Sequence, residues 1–264
     1  MDKPKSDIIS RRLEKRLKEL FVKAMATYHL IEDDDHILVG LSGGKDSLCL
    51  LELMASRAKI EHPRFSVEAL HVRMENIHYE SDTSYLQQFC DDLGVKLHIR
   101  TTHFEVENVE QPVVPQQQTE SAARLRKQKQ PCFLCSWMRR KEMFNLAQEL
   151  GCNKIALGHH QDDLIHTALM NLTFQGRFDA MPARLKMRKM PLTIIRPLCL
   201  IPEQDILAFA EMRNYQKQTK RCPYETDSHR TDIKRLYEEM ELMNPEARFS
   251  IWRALNAANK LIEY

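Results

Sequence analysis

One hexapeptide constrains the fold of this chain more than any other feature. An apolar run over residues 37–41 leads directly into it, and a helix-like stretch over residues 48–54 follows. In a strand, glycine turn and helix arranged in this order, backbone N–H groups at the helix start point at phosphate oxygens, and the helix dipole favours negative charge. Glycines let the backbone approach a ligand closely. The sequence therefore predicts a phosphate-binding loop formed by Ser42, Gly43, Gly44, Lys45, Asp46 and Ser47.

The residues of this loop exclude two better-known phosphate-binding motifs. The P-loop requires Gly where Val39 stands and Ser or Thr where Asp46 stands. The dinucleotide fingerprint fails because, counted from Gly40, Ser42 occupies its second glycine position. An aspartate beside a phosphate repels it unless a divalent cation lies between them, so Asp46 predicts Mg²⁺. An ordinary tight turn between a strand and a helix is the alternative.

Strand-like and helix-like segments alternate along the chain. The alternation predicts an α/β fold with a doubly wound parallel sheet of about five strands. An amphipathic helix over residues 8–30, with Ile9, Leu13 and Leu17 on its apolar stripe, precedes this core. The strand-like runs cover residues 37–41, 65–72, 95–101, 154–158 and 193–198. The expected segments are an N-terminal helical segment 1–35, a core 36–215 with an insertion 104–131, and a largely helical C-terminal segment 216–264.

Composition excludes several classes of protein. The net charge of +2 is too small to indicate a nucleic-acid binder by itself, so an anionic partner requires local basic patches. The sequence contains neither an apolar run long enough to cross a membrane nor an export signal, which predicts a cytoplasmic protein without membrane contact. The chain has seven cysteines, which is an odd number, and it lacks an export signal. Both facts argue against a disulfide framework and leave the thiols available as ligands.

A second acidic group follows the fourth strand-like run. The stretch over residues 157–163 opens another helix, so it lies at the carboxyl end of the sheet, where ligands of open α/β sheets bind. Two roles are open for Asp162 and Asp163. They could cap the free N–H groups of the helix start, or one of them could bind a second Mg²⁺ or orient the substrate. His159 and His160 are more typical of hydrogen-bonding wall residues than of acid–base groups.

Three cysteines form a further pattern. Cys132 and Cys135 are a CxxC pair at the start of a helical stretch, and Cys222 lies far downstream. A CxxC pair brings two sulfurs within reach of one metal, and three thiolates without an evident fourth leave a coordination position open. For the CxxC pair alone, a redox disulfide and half of a zinc site are alternatives. The remaining cysteines are expected in the core, namely Cys49, Cys90, Cys152 and Cys199.

The hexapeptide resembles the signature of the PP-loop, or N-type, ATP pyrophosphatases. Combined with the three cysteines and the stretches 157–163, 180–185 and 195–198, the sequence resembles the tRNA 2-thiocytidine synthetases, the tRNA-cytidine(32) 2-sulfurtransferases. The resemblance extends from the loop to Cys222. It departs at Gln161, where the family usually has Arg, and in the residues that flank Cys222.

The resemblance implies an enzyme that uses ATP and Mg²⁺ to adenylate the C2 oxygen of a cytidine, with position 32 of tRNA as the expected site, and replaces that oxygen with sulfur. The loop would hold pyrophosphate, and the backbone of Leu70, His71 and Val72 would read adenine, with Gly158 also at the nucleotide. Cys132, Cys135 and Cys222 would carry a [4Fe-4S] cluster with one iron free to bind sulfide. The catalytic residues it implies are Lys45, Asp46, Asp162 and Asp163.

The implied partner is tRNA, whose target base would have to leave its stack. Four basic segments, 124–129, 139–141, 184–189 and 217–221, are expected to meet its backbone. A sulfur donor such as a cysteine desulfurase is also expected, and a homodimer is left open. One alternative is a PP-loop pyrophosphatase that acts on another nucleobase or a small molecule. Another is a non-catalytic nucleotide- or RNA-binding module, against which the intact Lys45, Asp46 and cysteines argue.

Overall fold

The computed structural model describes residues 3–75, 82–103, 131–216 and 229–263. The insertion 104–131, apart from Pro131, lies outside these residues, as do Cys222 and the basic segments 124–129 and 217–221. The helices are α1 (Lys3–Tyr28), α2 (Lys45–Ala58), α3 (Thr83–Leu93), α4 (Pro131–Glu149), α5 (Gln161–Gln175), α6 (Glu203–Met212), α7 (His229–Met243) and α8 (Ala247–Ala257). The strands are β1 (Asp35–Gly40), β2 (Phe65–Met74), β3 (Lys96–Thr102), β4 (Lys154–Ala156), β5 (Arg184–Lys186), β6 (Thr193–Ile195) and β7 (Ile262–Glu263).

Strand β1 lies near the middle of the sheet and is covered on both faces. Its continuous apolar run is typical of a buried parallel strand, because alternate side chains point to opposite faces. Leu38 packs in one hydrophobic cluster with Leu146 of α4. Ile37 and Val39 pack in the other, larger cluster, to which α2, α5 and α6 contribute. The sheet therefore separates two helical layers.

The sheet has seven strands in the order β3-β2-β1-β4-β6-β5-β7. The pairs β3–β2, β2–β1, β1–β4 and β4–β6 are all parallel, which confirms the predicted doubly wound α/β fold with five parallel strands. Strand β5 adds antiparallel to β6, and β7 adds parallel to β5. The sequence did not predict these two strands because neither is an apolar run: β5 has one apolar residue between two basic ones, and β7 has two residues of which one is acidic.

Helix α1 packs onto the core through its C-terminal half. Leu17, Phe21 and Ala24 are fully buried or nearly so. Ile9, on the same apolar stripe, is 66% exposed, so only the later part of the stripe packs against the core. Within the described ranges, no helix is both long and apolar enough to cross a membrane.

Residues of the C-terminal segment pack against the N-terminal helix α1. The Trp252 indole N–H of α8 donates to the Tyr28 hydroxyl at 3.0 Å, and the two rings meet edge to face. The Ala183 N–H donates to the Leu261 carbonyl at 2.8 Å, just before β7. Described residues of all three segments expected from the sequence thus share one hydrophobic cluster.

Candidate active site

The hexapeptide forms a loop between β1 and α2 that is tied onto itself. The Ser42 N–H donates to Ser47 Oγ at 3.1 Å, and the Ser47 hydroxyl donates to the Gly44 carbonyl at 2.9 Å. Gly43 has a φ of 81°, a backbone conformation that favours glycine. Gly44 is the N-cap of α2 and has no side chain to cover the helix start. The first N–H groups of a helix lack intrahelical partners, so they are available to an anion.

Lys45 is held by two carboxylates at this helix start. Its ammonium group lies 2.9 Å from Asp46 Oδ1 and 3.1 Å from Glu203 Oε1. Burial favours a lower pKa for Lys45, but the hydrogen bonds and charges of Asp46 and Glu203 outweigh it and raise the pKa above its usual value. The other oxygen of Glu203 accepts from Lys234 of α7 at 2.9 Å. Glu203 therefore connects the loop to α7. Neither Glu203 nor Lys234 belongs to a motif that indicates a site in the sequence.

The start of α5 brings a second carboxylate close to the loop. Asp163 Oδ2 accepts from the His160 backbone N–H at 3.1 Å. His160 Nε2 lies 3.5 Å from this same oxygen and 3.9 Å from Asp46 Oδ1. Asp46 and Asp163 thus approach one ring nitrogen, and both side chains are about 30% exposed. The two carboxylates that sequence analysis singled out on different helices face one small region.

Asp162 occupies a different environment. Its Oδ1 accepts from Arg248 of α8 at 2.8 Å, and its Oδ2 accepts from the Glu203 backbone N–H at 2.7 Å. Burial favours a higher pKa for Asp162, but the hydrogen bonds from Arg248 and Glu203 and the charge of Arg248 outweigh it and lower the pKa. Asp162 therefore ties the helix starts of α5 and α6 to α8.

Replacing Arg248 with Met should destabilise the fold by about 3–5 kcal/mol, because it leaves the buried Asp162 carboxylate without its cation. Because the folded-state pKa of Asp162 is lowered, the pair contributes stability above its usual value of 3.8 and loses it as the pH falls through the folded-state pKa. Urea unfolding at several pH values measures both effects. Arg253→Met, on the exposed face of the same helix, is the control and should change little. Equal unfolding free energies for the Arg248 variant and wild type would contradict the role of this pair.

Gly158 approaches the backbone of the loop. A Cβ at this position would lie 3.1 Å from the carbonyl carbon and oxygen of Asp46 and from the Ser47 nitrogen. Because these are backbone atoms, a side chain at Gly158 would displace the loop. The segment after β4 thus sets the position of the hexapeptide.

The end of β2 lies on the other flank of the loop. Leu70, His71 and Val72 are all buried. The Leu70 carbonyl accepts from the Leu41 N–H at 2.8 Å, so the backbone of Leu70 faces β1. Backbone groups two residues apart point to the same side of a strand, so those of Val72 face the same side, where β1 has already ended at Gly40.

The CxxC pair lies beyond the same edge of the sheet as the loop. The C-terminal end of α4 leads to Asn153, whose N–H donates to the His36 carbonyl at the amino end of β1. Met143 of α4 lies against Gly40 at the carboxyl end of β1, since its Cε would be 3.0 Å from a Cβ there. Cys135 precedes Met143 by eight residues, about 12 Å along the helix axis. The first turn of α4 therefore projects past the carboxyl edge of the sheet.

The six described cysteines fall into two groups. Cys132 is exposed and Cys135 is half-buried. The other four are buried, which confirms their predicted core positions, and burial raises the pKa of each thiol, to about 12 for Cys90 and about 11 for Cys152. In the part of the chain that the structure describes, only the CxxC pair is thus accessible to a metal. Cys222 lies outside the described residues, so its place beside this pair stays a prediction.

Two further stretches that carry the resemblance pack against each other. The buried Arg196 donates to the Pro182 carbonyl, and its backbone N–H donates to the Ala183 carbonyl at 2.8 Å. Burial, and then the charge of Arg196, lower the pKa of the neighbouring His159 to about 4, so this ring is neutral near pH 7. The buried Nδ1 of this ring has no hydrogen-bond partner among the residues that the structure describes, so the hydrogen-bonding wall role expected for His159 stays a prediction.

The comparisons with known proteins agree with this geometry. The PP-loop domain family matches residues 9–235. A tRNA-cytidine(32) 2-sulfurtransferase of Bordetella petrii is 32% identical over 93% of this chain and 71% of its own length. A protein of the same name from Pseudomonas putida is 31% identical over 92% of this chain and 84% of its own length.

Among solved structures, the U34-tRNA thiolase NcsA from Methanococcus maripaludis with its [4Fe-4S] cluster is similar to this chain. The TM-score is 0.70 at 25% sequence identity, over 94% of this chain and 79% of the thiolase. The resemblance drawn from the sequence is confirmed. The chain belongs to the PP-loop proteins and, within them, to the tRNA-cytidine(32) 2-sulfurtransferase family.

Proposed function

We propose that this protein adenylates the C2 oxygen of a cytidine in tRNA, at position 32, and replaces that oxygen with sulfur. The observation that carries the proposal is that the hexapeptide loop and the accessible CxxC pair lie at the same edge of the sheet. A nucleotide-activating loop and a thiolate metal site at one edge of a sheet can act on one substrate atom in succession. The names of the curated relatives and of the similar thiolase support the same reaction class.

The loop is suited to hold the pyrophosphate of ATP. The uncapped start of α2 offers N–H groups to the phosphates, and Gly43 and Gly44 allow close approach. Lys45 stays cationic because its pKa is raised, so it can neutralise the charge that develops as pyrophosphate leaves. When ATP arrives, its phosphates would replace the Asp46 and Glu203 carboxylates as partners of the Lys45 ammonium.

The carboxylates of Asp46 and Asp163 fit a Mg²⁺ ion that accompanies ATP. Carboxylate oxygens are the ligands that Mg²⁺ prefers, and both side chains face one region beside the loop. Bound Mg²⁺ would supply charge neutralisation at the phosphates. We assign this role to Asp163 rather than Asp162, because both oxygens of Asp162 are already engaged by Arg248 and Glu203.

For adenine, the backbone of Val72 is the better candidate of the two flanking positions. The Leu70 carbonyl is occupied by the Leu41 N–H. The N–H and C=O of Val72 point past the end of β1, where a base edge can pair with them as a neighbouring strand would.

Cys132 and Cys135 fit two of the three ligands of a [4Fe-4S] cluster, with Cys222 as the proposed third. They lie one turn apart at the start of α4, and both are accessible. Such a cluster, when bound by three cysteines, supplies an iron with an open position for sulfide. The basic side chains that follow on α4, Arg139, Arg140 and Lys141, favour an anionic RNA backbone nearby.

The reaction balances without an oxidant or reductant when sulfide is the donor. The C2 oxygen attacks the α-phosphorus, a C–O–P linkage forms, and pyrophosphate leaves. Sulfide then adds to C2 and loses its proton, and the C–O bond breaks so that AMP departs with the oxygen. The products are 2-thiocytidine, AMP and pyrophosphate.

We further propose that the reaction takes place in the cytoplasm and that the sulfide comes from a donor such as a cysteine desulfurase. Local cation clusters, including the 184–189 segment whose Arg184 and Lys186 lie on β5, support contact with the tRNA backbone.

Nucleoside mass spectrometry tests the proposed function. Protein purified without oxygen is incubated with tRNA, ATP, Mg²⁺ and sulfide, and the tRNA is digested to nucleosides. We expect 2-thiocytidine, formed only with ATP present, in step with the release of pyrophosphate. A thiolated uridine instead would favour another nucleobase as substrate, and ATP binding without pyrophosphate release would favour a non-catalytic module.

Gly158→Ala should reduce ATP-dependent pyrophosphate release by roughly 5–150-fold, because the added methyl group displaces the Asp46 backbone at a cost of about 1–3 kcal/mol. Steady-state kinetics with ATP as the varied substrate measures the loss. Gly94→Ala is the matched control, since no atom lies near its Cβ and only its own turn is strained. Wild-type kinetics for the Gly158 variant would refute the close packing of this segment on the loop.

A further inference from the structure

A cavity of about 230 Å³ opens between α5 and α7, next to the loop. His166, Thr167 and Met170 line it from α5, and Arg230 and Thr231 line it from α7. Asp163, proposed above at the Mg²⁺ site, also borders it. The volume lies below the roughly 300–1,000 Å³ of pockets for drug-sized ligands, so it suits one nucleobase better than a whole nucleotide. The cavity therefore adjoins the site of activation without being large enough for ATP.

The cavity lies on the flank of β4, opposite the flank of β2 where adenine is proposed to bind. Strand β1 carries the loop, with β2 on one flank and β4 on the other. If adenine pairs with Val72 at the end of β2, the group that attacks the α-phosphorus has to approach from the flank of β4. Helix α5 follows β4, and its first turns form one wall of the cavity. The acceptor and the nucleotide would then enter from opposite flanks of the loop.

The walls of the cavity match the chemistry of a pyrimidine. Thr231 carries a hydroxyl group that can donate and accept hydrogen bonds, and Met170 offers an apolar, polarisable surface for a ring. The Thr167 hydroxyl already donates to the Asp163 carbonyl at 2.7 Å, so toward a base it can act only as an acceptor. His166 Nε2 is buried and has no hydrogen-bond partner among the residues that the structure describes. A buried polar atom in this state is typical of a place that a ligand or water completes. Arg230 is exposed on α7 and can meet the flanking phosphate.

We infer that the cavity between α5 and α7 receives the flipped-out target cytosine, with Thr231, His166 and Met170 around the base and Arg230 at the adjoining phosphate. This assignment rests on the proposed function and deepens it. It makes α7, which begins seven residues after Cys222, part of the substrate site. An enzyme that acts on a stacked base has to provide such a pocket outside the helix stack.

Filling the cavity tests the inference. Thr231→Trp places a large side chain in it from an exposed position on α7, and Glu239→Trp adds the same side chain on this helix outside the cavity lining. The probes are two RNA hairpins with the sequence of a tRNA anticodon arm, one with cytidine at position 32 and one with an abasic site there. Binding of both hairpins and of ATP is measured for the full-length protein with its cluster.

Wild type and Glu239→Trp should bind the cytidine hairpin at least about tenfold more tightly than the abasic one. Thr231→Trp should bind both hairpins with the affinity that the wild-type protein shows for the abasic hairpin. Its affinity for ATP should equal that of the wild-type protein. A retained preference in this variant, or an equal loss for both hairpins, would overturn the inference. Met170→Trp fills the cavity from α5 and decides the question if the first variant does not fold.

The failure of this inference is distinguishable from the failure of the proposed function. If wild type forms 2-thiocytidine but neither filled variant loses the preference for cytidine, only the pocket assignment is wrong. If wild type forms no thiolated nucleoside in tRNA, the proposed function fails and the pocket assignment fails with it.

Discussion

Asp46→Asn should lower Mg²⁺-dependent pyrophosphate release by about 10²–10³-fold, the loss typical when one preorganised electrostatic group at the reacting atoms is removed. The substitution keeps the shape of the side chain but removes the charge that lies 2.9 Å from the Lys45 ammonium and faces the region shared with Asp163. The lost charge weakens Mg²⁺ binding, so raising the Mg²⁺ concentration should recover part of the activity. Pyrophosphate release across a Mg²⁺ titration measures both effects.

The control for this experiment is Asp92→Asn, which removes an exposed carboxylate on α3. It should leave the titration unchanged, as surface substitutions usually do. If the Asp46 variant shared this behaviour, Asp46 would not be a Mg²⁺ ligand, and the hexapeptide would be an ordinary turn.

Cys135→Ala should abolish thiolation. ATP binding should stay within about twofold of wild type, because the first turns of α4 separate this thiol from the loop. The variant should also lose the iron and the brown colour of the protein, since two cysteines cannot hold the cluster alone. Iron and sulfide analysis, together with nucleoside mass spectrometry, measures the two losses. Cys222→Ala should give the same result.

Cys90→Ala is the matched control for the cluster ligands. Its thiol is buried in the core, where burial raises its pKa to about 12, so it is a poor metal ligand. This variant should keep its iron and its activity, with some loss of stability from the small cavity. Cluster retention in Cys135→Ala would contradict the ligand assignment even if activity fell.

The sequence predicted those parts of the fold and site whose residues are contiguous. The loop, the acidic stretch at the start of α5 and the CxxC pair each lie within a few residues, so their spacing carries the information. The parallel strands were predicted because each is a recognisable apolar run between helices. The strands β5 and β7 contain no apolar run, so they showed no such pattern.

Residues brought together by tertiary structure were not predictable in this way. Glu203 meets Lys45 from a position 158 residues away, and Arg248 meets Asp162 from 86 residues away. An acidic residue in the first turn of a helix, as Glu203 is, reads in sequence as a favourable helix start only. The choice between Asp162 and Asp163 was open for the same reason, since only the fold shows that Arg248 reaches the former.

The exposed Ile9 illustrates a further limit. The periodicity of α1 placed Ile9 on the apolar stripe, but the hydrophobic core does not extend to this residue. Only the later turns of the helix pack against other elements. The sequence pattern of a helix indicates which of its sides is apolar. How much of that side is buried depends on the extent of the other elements that pack against the helix.

The transfer of the base oxygen to AMP is the most direct test of the account. A tRNA whose target cytidine carries ¹⁸O at C2 is incubated with the protein, ATP, Mg²⁺ and sulfide, and the AMP is examined by mass spectrometry. Because adenylation joins the C2 oxygen to the α-phosphorus, the AMP should carry one ¹⁸O for each 2-thiocytidine formed. Unlabelled AMP alongside 2-thiocytidine would contradict activation of that oxygen by ATP.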